Sequence, residues 1–203
     1  MTEQEFMEIL AFGREQHGIE FKGPGTKSSL LAKVVRAVLS MANKRDGGMV
    51  IIGIDEDSNG QPVPTGLSAS ELATWSYDDF ADSLSRYADP NVSFDLDILE
   101  YQASKFIIIN VNEFDDIPIL CKKDHSHILR EGACYIRTRR KPETSEIPSQ
   151  SEMRDLLDLA TVKALRKYFS TAHTAGLELS VAANRETDYD KFDAQLGDLW
   201  KNK

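Results

Sequence analysis

The stretch Glu15-Gln-His-Gly-Ile-Glu20-Phe-Lys22, read with Gly47-Gly-Met-Val-Ile-Ile-Gly-Ile-Asp55-Glu-Asp57, is the one around which the rest of the chain is arranged. Ile19-Glu20-Phe21-Lys22 alternates apolar and charged residues, the pattern of a half-buried strand. That period puts Glu20 and Lys22 on one face and turns Ile19 and Phe21 toward a core. The second segment is an apolar run bounded by glycines, long enough for a central strand, with Asp55 at its exit. Three carboxylates and a lysine on strand ends suit either a metal site or a phosphate-handling site.

Ahead of this stretch, Thr2 to Phe12 predicts a short helix with Thr2 as N-cap and Phe6, Ile9 and Leu10 as its apolar stripe. Between the two strands, Ser28 opens the clearest helix, with Leu30, Leu31, Val34, Val35, Val38, Leu39 and Ala42 at helical spacing. The loop before it, Gly23-Pro-Gly-Thr-Lys27-Ser28, lacks a glycine directly before Lys27 and so is not a nucleotide-binding phosphate loop. Asp78 to Ala88 predicts a further helix, preceded by a Ser68–Glu71 capping box. Phe94 to Leu99 and Lys105 to Val111 predict a hairpin turning at Tyr101-Gln-Ala-Ser. Pro118 to Cys121 and Ala133 to Thr138 are short strand candidates. Ser151 to Phe169 predicts a second strong helix with Met153, Leu156, Leu157, Ala160, Leu165 and Phe169 on its apolar side. Asp190 to Trp200 is a candidate terminal helix.

Composition bounds the function. At 203 residues, 41% hydrophobic and 28% charged, the chain suits one main soluble domain with extensions. No run approaches a membrane span, and the N-terminus lacks a signal peptide's basic start and apolar stretch, so a cytoplasmic, non-membrane protein is expected. Cys121 and Cys134 lack zinc-motif spacing and read as buried free thiols. A net charge of −9 argues against indiscriminate polyanion binding by the whole surface. A local basic patch or a divalent cation is then required to hold one.

Both have candidates. Glu15, Glu20 and Asp55, if they converge, offer the hard oxygen ligands that Mg²⁺ or Mn²⁺ prefers, and Lys22 would neutralise charge on a phosphate. The competing expectation is that these carboxylates are solvated or salt-bridged. Tyr135-Ile-Arg137-Thr-Arg139-Arg140-Lys141 is the basic segment. As a strand it aligns Tyr135, Arg137 and Arg139, an aromatic platform beside arginine forks suited to unstacked bases and phosphates. The competing expectation there is an edge strand blunted by charge. His17, His125 and His127 read as turn and loop residues.

Taken together, Glu15-x-x-x-x-Glu20-Phe-Lys22, a helix ending Met41-Ala-Asn43 with Gly47-Gly48, and Ile51-Ile-Gly53-Ile-Asp55 resemble the Schlafen AlbA-like domain. Asp89-Pro90, Ile107-Ile-Asn-Val ahead of Pro118, and Tyr135-Ile-Arg137 before the last strong helix extend the likeness over roughly residues 10 to 160. The resemblance implies an α+β domain whose sheet is mixed or mostly antiparallel and flanked by helices. With its flanking helices the domain is expected at 1–170, and 171–203 is a C-terminal extension with a helical candidate in it. The resemblance also implies nucleic-acid binding, with RNA favoured over DNA. In Schlafen-type nucleases two glutamates and an aspartate hold a divalent metal and cut structured RNA such as transfer RNA. That set carries over to Glu15, Glu20 and Asp55, with Asp57 in reserve and Mg²⁺ or Mn²⁺ as the ion. Lys22, Lys27, Tyr135, Arg137, Arg139, Arg140 and Lys141 are the expected nucleic-acid contacts, and a homodimer would rebuild the groove that two-lobed relatives form. The alternative is a non-catalytic DNA- or RNA-binding regulatory module.

Overall fold

The computed structural model describes residues 1–177. The chain divides into two compact units, Met1–Ala164 and Leu165–Lys203. The first unit carries all of the architecture below except the end of the last helix. The candidate helix at 190–200 lies outside the described residues.

Helix α1 (Glu3–Ala11) starts in a reciprocal capping box. Thr2 Oγ1 accepts from the Glu5 N–H at 3.2 Å, and Glu5 accepts from the Thr2 N–H at 2.7 Å. After a tight turn comes β1 (Ile19–Lys22), then α2 (Lys27–Ala42), capped by Thr26 and ending at Asn43. Strand β2 (Gly48–Ile52) stops at Gly53, whose φ of +112° bends the chain out of the sheet. Beyond the bend a small hairpin forms from β3 (Ile54–Glu56) and β4 (Pro62–Pro64). The short α3 (Ala69–Leu72), α4 (Tyr77–Ser85) and β5 (Ala88–Asp89) lead to the long hairpin of β6 (Phe94–Tyr101) and β7 (Ser104–Val111). Strands β8 (Leu120–Cys121), β9 (Tyr135–Arg137) and β10 (Thr144–Glu146) precede α5 (Gln150–Thr174).

The main sheet has the order β1-β2-β7-β6, with only β1–β2 parallel, so the domain is α+β and mostly antiparallel. Both of its faces are covered. On one, Phe6 of α1 packs with Phe21, Ile51, Phe106 and Ile108. On the other, α2 packs with Val50, Ile52, Ile107 and Ile109, joined by Phe80, Leu84, Tyr135, Leu156 and Leu159. Two covered faces explain why Val50-Ile-Ile and Phe106-Ile-Ile-Ile are continuous apolar runs rather than alternating ones. Each fully buried aliphatic side chain contributes about 1.5–3 kcal/mol by leaving water.

Register decides where the charged residues of β1 point. Phe21 pairs with Ile51 and faces α1. Glu20 pairs with Val50 and Lys22 with Ile52, so both turn to the α2 side. That face is not open to solvent: Glu20 is buried. The amphipathic reading of α5 needs a similar correction. Leu156, Leu159 and Ala172 are its buried residues, whereas Met153, Leu157, Leu165 and Phe169 are exposed. Lys163 anchors the helix through an ion pair to Glu113 at 2.7 Å and a position over the Phe114 ring. No helix among the described residues is long and apolar enough to cross a membrane.

Candidate functional site

The parallel pairing of β1 with β2 and the packing of β9 against α2 bring Glu20 under the end of β9. There Arg137, with a side chain only 1% exposed, forms an ion pair with Glu20 Oε2. Lys22 Nζ takes the other oxygen, Oε1. Arg137 Nη2 also lies 3.7 Å from Glu15 Oε2 and donates to the carbonyls of Gln16 and Ile19 at 3.0 and 3.1 Å. Its Nε reaches the carbonyl of His17 at 3.4 Å. One guanidinium therefore staples the whole Glu15–Ile19 turn to β9, a use that the planar five-donor fork suits and a lysine could not match. His17 Nε2 shares a hydrogen bond with the Arg139 carbonyl at 3.0 Å, which closes the turn from the other side.

Glu15 completes the centre. Its Oε1 accepts the Phe21 N–H at 2.7 Å. Burial, and next the neighbouring Glu20 carboxylate, push its pKa above the usual glutamate value, against the pull of the Phe21 N–H, Lys22 and Arg137. Glu15, Glu20 and Lys22 open onto a cleft of about 210 Å³, whose other walls include Lys33 and Arg36 of α2 and Thr144 of β10.

Asp55 does not join them. The bend at Gly53 places it on the exposed β3–β4 hairpin, where its carboxylate accepts from Thr65 Oγ1 at 3.1 Å. It lies against the backbone just past β1: a Cβ at Gly23 would stand 2.5 Å from Asp55 Oδ1. Asp57 is farther along the same hairpin and caps its own turn, accepting the N–H groups of Asn59 and Gln61 at 2.8 Å each. Among the described residues no three His, Cys, Asp or Glu side chains are grouped so as to hold a metal ion. The donor set does not fit Mg²⁺ or Mn²⁺: both Glu20 oxygens are taken by cations, and one Glu15 oxygen is taken by a backbone N–H. A divalent ion would have to displace a lysine and a buried arginine to reach the pair.

The basic segment is split by burial. Tyr135 is 1% exposed, so it is no platform for a base. Its hydroxyl donates to the Ile128 carbonyl at 3.3 Å and accepts the Arg130 N–H at 2.8 Å, with Arg36 over its ring. Arg137 is committed to the carboxylates. Of the segment's cations, Arg139, Arg140 and Lys141 are the exposed ones, in the loop between β9 and β10. Arg140 and Lys141 form no ion pair among the described residues, while Arg139 pairs with Asp155 of α5 at 2.6 Å. Lys27 is not part of this surface. Its Nζ donates to the Asp79 carbonyl at 3.1 Å, at the opposite end of an α2 that is about 24 Å long at 1.5 Å per residue.

Two further cations, outside the segment that the sequence marks as basic, stand beside Arg139 of the loop. Lys44 and Arg45, just past α2, line a groove of about 390 Å³ with Arg139. Their place is fixed by Asn43, whose buried amide donates to the Ile119 and Tyr135 carbonyls at 2.8 and 3.0 Å and accepts the Ile119 N–H at 2.7 Å. The two free cysteines are inert by environment, and burial pushes the Cys134 thiol up to about 11.

No protein with a curated description matches the chain. Among solved structures, the DIP2311 protein from Corynebacterium diphtheriae is 20% identical with a TM-score of 0.47, over 71% of this chain and 26% of that one. This chain thus spans about a quarter of DIP2311. The N-terminal domain of a putative ATP-dependent DNA helicase RecG-related protein from Nitrosomonas europaea is also 20% identical, with a TM-score of 0.49, over 62% of this chain and 83% of that one. The family model described as Schlafen, AlbA_2 matches residues 15–145, a span that opens on Glu15 and closes on β10 after taking in Glu20, Asn43 and Arg137. With well over half of its length matched, the chain belongs to the Schlafen AlbA_2 family.

Proposed function

We propose that this domain binds nucleic acid as a non-catalytic module, holding the phosphate backbone with Arg139, Arg140 and Lys141 and with the adjacent Lys44 and Arg45. Family membership supports a nucleic-acid-related role. The observation that carries the choice of binder over nuclease is the buried Arg137 guanidinium on Glu20. It turns the carboxylate pair from a cation trap into the clamp that presents the basic loop. Arg137 ends β9, and the three exposed cations follow within four residues, so fixing Arg137 fixes the point from which that loop departs.

In this reading Glu15, Glu20 and Lys22 act on the fold, and the loop acts on the ligand. A metal-dependent endoribonuclease, the activity of Schlafen-type nucleases, would require Lys22 and Arg137 to leave Glu20 and a third carboxylate to approach. RNA is the preferred ligand on the family resemblance, and transfer RNA and a duplex DNA of similar length provide the comparison. The test is a binding titration of parent and an Arg139→Ala/Arg140→Ala/Lys141→Ala variant in the presence of chelator. The parent should bind without divalent ions. The variant should bind at least tenfold more weakly, with a salt slope shallower by about 0.7 to 0.9 for each phosphate it no longer neutralises. Equal affinities for parent and variant would remove the loop from the interface.

A further inference from the structure

The groove that holds the basic residues is walled on its other side by acid. Glu152, Asp155 and Asp158 stand at i, i+3 and i+6 on α5, which places them on one helical face. They line the same groove as Lys44, Arg45 and Arg139. Two contacts cross it. Asp155 Oδ2 pairs with Arg139 Nη2 at 2.6 Å, and Glu152 Oε1 accepts the Arg139 backbone N–H at 3.2 Å. Ser149 orients the Glu152 carboxylate, donating to Oε2 at 3.0 Å and accepting the Glu152 N–H at 3.3 Å. Buried Leu156 and Leu159 hold this part of the helix against the core, so the acidic face is presented by packing.

We propose that this face of α5 occupies the phosphate-binding groove of the free domain, and that a nucleic-acid backbone enters by displacing Asp155 from Arg139. The inference rests on the binding role assigned above to the basic loop. A carboxylate and a phosphate oxygen compete for the same guanidinium donors, and only one can hold them at a time. The pairing is weakly made: the Arg139 side chain is 74% exposed and that of Asp155 41%. Asp155 Oδ2, itself buried, lies close to the guanidinium without accepting a hydrogen bond, so the ion pair is readily given up. Arg140 and Lys141 stand beside it with no ion pair among the described residues, placed to meet the ligand first. The device makes α5 an internal competitor that lowers affinity for short or weakly charged ligands and yields to long polyanions.

The experiment compares the full chain with two charge-matched variants, each gaining three units of positive charge. Glu152→Gln/Asp155→Asn/Asp158→Asn neutralises the groove wall. Asp95→Asn/Asp97→Asn/Glu100→Gln neutralises three exposed carboxylates on β6, at the opposite sheet edge from β1. A labelled single-stranded RNA of about 20 nucleotides, longer than one typical single-strand site, is titrated against each across a salt series, with melting curves as a check on folding. The groove variant should bind roughly tenfold more tightly than the β6 variant, and its salt slope should steepen by about 0.7, one extra neutralised phosphate. Asp155→Asn alone should show part of the gain and serves if the triple variant folds poorly. Groove and β6 variants of equal affinity and slope would overturn the inference; the binding reading would survive provided that the Arg139/Arg140/Lys141 variant still binds weakly. No binding by any of the proteins would overturn both.

Discussion

Arg137→Ala should destabilise the fold by about 3–5 kcal/mol, the usual cost of removing one partner from a buried ion pair. It strands the Glu20 carboxylate and also frees the carbonyls of Gln16 and Ile19. Chemical denaturation of the variant beside Arg139→Ala checks this, because removing the exposed arginine should leave stability within about 0.5 kcal/mol of the parent. The residues that carry the centre were legible in the sequence as chemistry-bearing, but their use was not. Glu20 and Arg137 are 117 positions apart, and no local pattern announces that one fills the other's site. The period of two put Glu20 and Lys22 on one face correctly, yet whether that face is wet depends on what β9 and α2 lay over it. Glu15 gives the centre a pH signature. Its pKa is raised in the folded chain, so its stabilising contribution is fully present below the ordinary value of 4.5 and is lost as pH rises through the folded value. Glu15→Gln keeps an acceptor for the Phe21 N–H and removes the charge. The variant should melt higher than the parent at neutral pH and lose that advantage in acid; an equal or lower melting point at neutral pH would rule out a strained Glu15 charge.

Among the secondary-structure elements, the turn between β6 and β7 and the cap of α2 are the sharpest tests. Gln102 and Ala103 both have positive φ, 48° and 64°, the two-residue geometry that Asn-Gly fits best. Gln102→Asn with Ala103→Gly should therefore stabilise the hairpin, by about 0.5–1 kcal/mol once strain relief is set against glycine's added freedom. A melting curve decides it. Asn43→Ala should cost about 1–3 kcal/mol, since the Ile119 N–H and the Ile119 and Tyr135 carbonyls are left without a buried partner. The β6–β7 hairpin, α1 with its Thr2 cap and α2 were all readable from local signals: alternation, a turn of four residues, and helical spacing. Asp55 was misplaced because Gly53 reads equally well as part of a strand or as its end. Strand β10 left no signal, because Thr144-Ser-Glu is too short and polar to suggest pairing, and only its register against β9 creates it. The apolar side assigned to α5 failed at Met153 and Leu157 because its residues spread around the helix, leaving periodicity to choose among several faces.

The whole molecule is acidic, with a net charge of −9, against which Arg139, Arg140 and Lys141 stand together in one exposed loop. Binding should therefore be local, salt-sensitive and dependent on these three residues, while the β6 carboxylates shape only the long-range field. Family membership was legible from the order and spacing of short motifs. The choice between a nuclease and a binder was not, because it turns on whether three carboxylates meet in space. The decisive measurement is the fate of labelled transfer RNA incubated with the parent protein in Mn²⁺ and in chelator, run beside a binding titration in each. A locked Glu15–Glu20–Arg137 centre predicts equal binding in the two conditions and intact RNA in both. Cleavage that appears with Mn²⁺, vanishes in chelator and is abolished by Glu20→Gln would show instead that the centre opens to a metal, and that the domain is a nuclease rather than a binder.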